Sequence, residues 1–153
     1  MAASPPTPCS APLASAITRE AQMSEVQDLA ERWLGALHAL DIPAAVELLA
    51  DDAVLEMPFA PPSLPDRFEG KAAIRAFLSG SQYFSKLEFH DVEVHVTSDP
   101  ELVVVEFRST GTFEATGLGY ANRYALILRA RGGRIVLYRE YFNPLALVGA
   151  VDS

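Results

Sequence analysis

The segment Arg134-Ile135-Val136-Leu137-Tyr138-Arg139-Glu140-Tyr141-Phe142-Asn143-Pro144 places one carboxylate, Glu140, inside an otherwise apolar and aromatic run. Side chains alternate faces along a strand, so Val136, Tyr138, Glu140 and Phe142 share one face, and Ile135, Leu137, Arg139 and Tyr141 the other. A carboxylate among such neighbours either pairs with a cation or has its pKa raised toward neutrality, and the second state suits a general acid or base. The alternative is an edge strand whose even face meets water and leaves Glu140 solvated. Glu56 is the second carboxylate candidate. Facing inward it would couple with Glu140, one acid staying protonated and the other ionised; facing outward it is an ordinary strand residue. Tyr120, Asn122 and Tyr124 stand on one face of another strand, where together they could polarise a carbonyl oxygen while Glu140 moves a proton. Their other reading is core tyrosines bonded to backbone beside an exposed asparagine. Glu106 and Arg108 share a face too, as an ion pair or as pocket residues in which the arginine keeps the glutamate ionised.

Other chemistries lack their residues. His90 and His95 have no Cys or carboxylate partner at metal-ligand spacing, and His38 lies beside an apolar helical stripe, so no metal is expected. The chain carries no nucleophile elbow, phosphate loop or dinucleotide fingerprint, which argues against covalent serine chemistry and nucleotide cofactors. Cys9 is the single cysteine and cannot form an internal disulfide. This fits a cytoplasmic protein.

The positioning elements belong to a chain of 153 residues with a formal net charge of −8. That length suits one domain able to bury roughly two thirds of its unfolded surface without a metal or disulfide. The charge argues against nucleic-acid partners and anionic membrane surfaces, and no stretch is long and apolar enough to span a bilayer. Residues 1–22 contain Pro5, Pro6, Pro8 and Pro12 and read as a disordered leader rather than a secretory signal, ahead of a domain spanning 23–147 and a tail at 148–153. Met23 is a second candidate start of translation.

Ser24 and Gln27 form a capping box ahead of Val26, Leu29, Ala30, Trp33, Leu37 and Leu40 at helical spacing. Pro43 starts a short second helix through Ala44, Val46, Leu48 and Leu49. A strand at 53–57 leads into the proline-rich loop 58–66, placed as a lid would be, and Gly70-Lys71 opens a third helix with Ala73, Ile74, Phe77 and Leu78 as its stripe. From Lys86 the pattern becomes strands at 87–97, 102–113, 120–131 and 134–142, joined by turns at Asp99-Pro100, Thr116-Gly117-Leu118-Gly119 and Gly132-Gly133. The fold class is α+β: a conical barrel of curved antiparallel sheet packed on three N-terminal helices.

This order, with the segments 53–62 and 138–142, resembles the nuclear transport factor 2-like superfamily. Within it, the chain resembles the SnoaL-like branch of polyketide cyclases, ketosteroid-isomerase-like enzymes, limonene epoxide hydrolases and phenazine biosynthesis A/B proteins. The resemblance spans Met23 to about Leu147 and implies one conical pocket, on which the superfamily carries isomerases, cyclases, hydrolases, dehydratases and non-catalytic modules. Glu140 stands where the epoxide hydrolases carry their catalytic aspartate in Trp-Arg-Asp-Tyr-Phe-Asp. Their water-binding tyrosine and asparagine fall near Val54 and Glu56 and are not retained, and their Arg-x-Asp pair reads here as Glu106-Phe107-Arg108, with the charges reversed. The phenazine A/B proteins end their last strand in Arg-Glu-aromatic-x-Asn-Pro, matched by residues 139–144, and their preceding strand resembles residues 119–124. In them the glutamate serves acid/base work on a small cyclic ketone or imine; their pocket histidine on the third helix has no counterpart among Lys71, Arg75 and Ser79.

The combined reading takes Glu140, Glu56 and Tyr120 as catalytic, and Asn122, Tyr124, Tyr138, Phe142, Glu106, Arg108 and Phe59 as substrate-binding. It expects no cofactor, a small apolar cyclic substrate and isomerase or cyclase chemistry. Epoxide opening, dehydration or a non-catalytic ligand-binding or dimerisation module are the alternatives. A homodimer is expected through outward sheet faces that include Val103, Val105 and Phe107.

Overall fold

A computed structural model describes residues 13–80 and 84–147. Helix α1 spans Leu13–His38 and α2 Ile42–Glu47; strand β1 spans Leu49–Glu56, β2 Arg67–Glu69, helix α3 Lys71–Gly80, and strands β3 to β6 span Phe84–Val96, Leu102–Phe113, Gly119–Arg131 and Arg134–Phe142. A 3-10 turn at Pro144–Ala146 follows. The strands form one open sheet in the order β2-β1-β6-β5-β4-β3. All neighbours are antiparallel except β1 and β6, which pair in parallel because the chain passes through β2, α3 and three hairpins before returning beside β1. The expected α+β architecture is present, with that one parallel pair inside an otherwise antiparallel sheet.

The turn chemistry explains the long hairpins. Gly132 and Gly133, at φ 59° and 75°, make the two-residue connection between Arg131 and Arg134, a conformation in which a side chain would be strained. Register shifts within β3, between β5 and β6, and between β1 and β6 bend the sheet so that its inner face wraps the helices. The core lies on that concave face, where Val26, Leu29, Ala30 and Trp33 of α1 meet Val103, Val105, Leu126, Leu128 and Ile135.

Several boundaries differ from those read in the sequence. Ser24 lies inside α1, whose backbone is already helical from Leu13, directly after the last leader proline, Pro12; nothing between them forbids a helix. Residues 1–12 and the tail 148–153 lie outside the described residues. Asp41 caps α2 by accepting from the Ala44 N–H at 3.1 Å, ahead of Pro43. Strand β1 begins at Leu49, and the short β2 pairs with it through Leu55 and Phe68. On β4 the inward residues are Val103, Val105, Phe107 and Ser109, all buried, so the expected outward apolar set points into the core instead.

Candidate active site

The concave face encloses a cavity of about 500 Å³, a size ordinary for small-molecule sites. The long strands supply most of its wall. The aromatic rings of Phe89, Phe107, Tyr124 and Phe142 form a row across β3, β4, β5 and β6, with successive centroids 5.1, 4.9 and 6.2 Å apart. Trp33 of α1 closes the floor, its ring 5.0 Å from that of Tyr138. Phe77 and Leu78 of α3, and Leu64 of the proline-rich loop, complete further parts of the lining.

Glu140 stands within this apolar wall. It lies opposite Leu126 on β5, one pleat from the facing pair Tyr124 and Phe142. Its Oε1 accepts from the Tyr138 hydroxyl at 3.3 Å, a long contact, and among the described residues no lysine, arginine or histidine lines the cavity. Loss of hydration therefore dominates, and the carboxyl is pushed up to about 7 against the modest opposing pull of the Tyr138 hydrogen bond. Such a group can take or give a proton near neutrality.

Beside it runs a chain of polar groups. The Tyr120 and Tyr124 hydroxyls are 2.6 Å apart, and Asn122 Nδ2 donates to the Tyr120 hydroxyl at 2.7 Å. Burial raises the pKa of Tyr120, Tyr124 and Tyr138, and the nearby Glu140 charge adds to each, so all three stay protonated donors. Trp33 Nε1 and Ser109 Oγ are buried and reach no partner in hydrogen-bond geometry, though Trp33 bears electrostatically on Tyr138 and Ser109 on Tyr124.

The family model for the SnoaL-like domain matches residues 30–138. The chain belongs to the SnoaL-like family. An uncharacterized PhzA/B-like protein of Pseudomonas aeruginosa is 38% identical over 107 residues, which cover 70% of this chain and 76% of that protein. A crystal structure of an isomerase candidate from Bacillus subtilis superposes with a TM-score of 0.80 at 32% identity, covering 86% of this chain and 95% of the other. The Δ5-3-ketosteroid isomerase of a Mycobacterium species shares the fold, with a TM-score of 0.70 at 23% identity and coverage of 80% and 95%. The family match stops short of Glu140, so the case for that acid in this SnoaL-like protein rests on its surroundings.

Of the residues singled out in the sequence, the cavity of the SnoaL-like domain gathers Glu140, Tyr120, Tyr124, Tyr138 and Phe142. Asn122 sits behind the wall, buried, and touches the cavity only through Tyr120. Glu56 is no partner of Glu140: it lies on the convex face, where Arg139 Nε donates to its Oε2 at 2.6 Å and Arg67 reaches its other oxygen. Its inward neighbours Ala53 and Leu55 set that parity. Glu106 and Arg108 also point outward, to His95 at 2.8 Å and Asp91 at 2.6 Å respectively. Phe59 is 56% exposed and packs edge-on against the outward Tyr141, with centroids 5.3 Å apart. None of these four lines the cavity.

The expectation that His95 has no carboxylate partner at metal-ligand spacing does not hold: Glu93, two residues before it on the same strand face, and Glu106, brought across by the β3–β4 register, stand beside it in an exposed cluster. Strict alternation also fails within β6. Ile135 and Tyr138 are both buried, because the shift opposite Arg129 and Ala130 makes Val136 an extra residue. From Leu137 onward the alternation holds, so Tyr138, Glu140 and Phe142 do share the cavity face. Phe107, expected to face outward, and Trp33, Leu37, Leu40, Phe77 and Leu78, expected only as helical apolar stripes, also line the wall. The alternation of β4, with Arg108 next in sequence, was the available signal for Phe107.

Proposed function

We propose that this SnoaL-like protein is a cofactor-independent isomerase or cyclase acting on a largely apolar cyclic or polyketide-like intermediate. The observation that carries the reading is Glu140, the one carboxyl among the described residues lining the cavity, raised to about 7 inside an aromatic wall that also carries the Tyr120–Tyr124 hydroxyl pair. Ionised, Glu140 would take a proton from carbon alpha to a ketone. The electron pair of the broken C–H bond moves onto the carbonyl oxygen, which tyrosine donors stabilise within a largely apolar wall. Return of the proton to a different carbon gives an isomer; alternatively the enolate carbon attacks a second carbonyl of the same molecule, closing a ring as that carbonyl's π pair moves to its oxygen, which then takes the proton back from Glu140. The kinship with a ketosteroid isomerase fold is compatible with this chemistry.

Epoxide opening is less well supported, since a nucleophilic water needs several polar groups to hold it and, among the described residues, Glu140 has one hydrogen-bond partner, Tyr138. The test is turnover of a panel of cyclic enones, epoxides and aromatic polyketide intermediates by wild type and Glu140→Gln, followed by mass spectrometry. Conversion that disappears in a folded variant supports the reading. Saturable binding of both proteins with no conversion would make the domain a binding module instead.

A homodimer is part of the same proposal. Its surface is the convex patch where half-buried Val104, Ile127, Ala125, Tyr141 and Leu137 adjoin across β4, β5 and β6. A second copy would cover them.

A further inference from the structure

Asn122 is 7% exposed and does not line the cavity, yet its amide is bonded on every side. Its Oδ1 accepts the backbone N–H groups of Arg123 at 2.8 Å and Asn143 at 3.0 Å. Both neighbours are donors only, so this atom must be the oxygen and the amide cannot be flipped. Nδ2 then has two hydrogens for two acceptors, the Asn143 carbonyl at 3.1 Å and the Tyr120 hydroxyl at 2.7 Å.

The Tyr120 hydroxyl therefore receives a hydrogen bond from Asn122, and its own hydrogen must go elsewhere. If Tyr124 donated to Tyr120 across their 2.6 Å contact, the Tyr120 hydrogen would have no acceptor among the described residues, in a side chain 6% exposed. A buried donor without a partner is the costly arrangement. In the opposite direction the hydrogen left over is that of Tyr124, the half-buried one of these two cavity-lining tyrosines: Asn122 donates to Tyr120, Tyr120 to Tyr124, and Tyr124 to whatever fills the cavity. Donors in a chain polarise one another, which strengthens the last one.

We propose that Asn122 is a positioning residue that fixes the direction of this chain, so that Tyr124 presents a donor and the cavity selects neutral ligands carrying a hydrogen-bond acceptor such as a ketone oxygen. The proposal rests on the reading of the cavity as a small-molecule site. Two features oppose an anionic ligand at this point: the adjacent Glu140 and a lining with no cationic side chain among the described residues. The lock also ties β5 to the segment after β6, since Asn143 contributes both its N–H and its carbonyl.

The experiment compares two probes of one shape, 2-acetonaphthone and 2-isopropenylnaphthalene, in which C=CH2 replaces C=O. Affinities are measured by calorimetry, and the carbonyl stretch of the bound ketone by infrared spectroscopy. Wild type is expected to prefer the ketone by about three- to tenfold, the worth of one net hydrogen bond. In Asn122→Asp the new carboxyl oxygen has no hydrogen for Tyr120, or at most one that the Asn143 carbonyl claims. Tyr120 then donates backward, Tyr124 donates to Tyr120, and the ketone loses its donor. Loss of the preference and a carbonyl stretch moved to higher frequency, with hydrocarbon affinity kept, support the proposal; an unchanged preference and stretch overturn it.

Should Asn122→Asp fail to fold, Tyr120→Phe decides, because it cuts the chain and leaves the backbone bonds of Asn122 intact. A ketone preference that is kept supports the proposal, because Tyr124 retains its free hydrogen; one that rises, as when Tyr124 had donated to Tyr120, or one that is lost, as when Tyr120 was itself the donor, overturns it. Equal wild-type affinity for the two probes overturns the inference and leaves the small-molecule reading standing. Binding of neither probe by wild type overturns both.

Discussion

Glu140 is costly where it stands, and the cost has a measurable pH signature. Its folded-state pKa of about 7 lies above the ordinary 4.5, so the native protein binds this proton more tightly than the unfolded chain does. Stability from this group is complete below the ordinary value and is lost as pH rises through the folded one, by up to about 3 kcal/mol. Glu140→Gln removes the titration. In urea unfolding, the variant should gain on wild type by up to that amount between about pH 5 and about pH 8; parallel stability curves would mean that Glu140 is hydrated. The same titration governs the proposed chemistry. If the carboxylate is the base, kcat/KM of wild type rises as pH passes through about 7, following the ionised fraction.

Among the elements, the end of α1 and the β1–β6 seam carry the clearest consequences. Leu40 has a φ of 56° in the turn where Asp41 N bonds back to the Ala36 carbonyl at 2.9 Å, a helix-ending position that glycine fills without strain. Leu40→Gly should therefore stabilise the protein by up to about 1 kcal/mol in chemical denaturation. At the seam, Glu56 holds Arg139 of β6 and Arg67 of β2 from the convex side. Glu56→Gln is expected to weaken this ion cluster and lower stability slightly while leaving turnover unchanged. A large loss of turnover in a stably folded Glu56→Gln protein would restore Glu56 to the catalytic set.

For the molecule as a whole, the two faces of the sheet have divided labour. The concave face is aromatic and encloses the cavity, and the convex face alternates half-buried apolar residues with ion pairs such as Arg108–Asp91 and the His95 cluster. The proposed dimer places the second copy on that convex face, and sedimentation should give a dimer for wild type and a monomer for Ile127→Glu. A wild-type monomer would contradict it. No helix among the described residues is long and apolar enough to cross a membrane.

Local sequence determined the later strands and the central acid. Alternation and turn residues located β4, β5 and β6 almost to the residue, and the lone carboxylate among aromatic residues marked Glu140, because strand periodicity and glycine turns are properties of short segments. Which face of each strand looks inward was decided only by tertiary structure. Parity alone cannot say whether Phe107 or Arg108 meets the helices, and one extra residue at Val136 resets the alternation of β6. For the same reason Glu56 and Glu106 could be read as pocket acids until packing turned both outward, toward arginine and histidine partners on other strands. The locked amide of Asn122 depends on a backbone 21 residues away, a contact that no pattern within a strand contains.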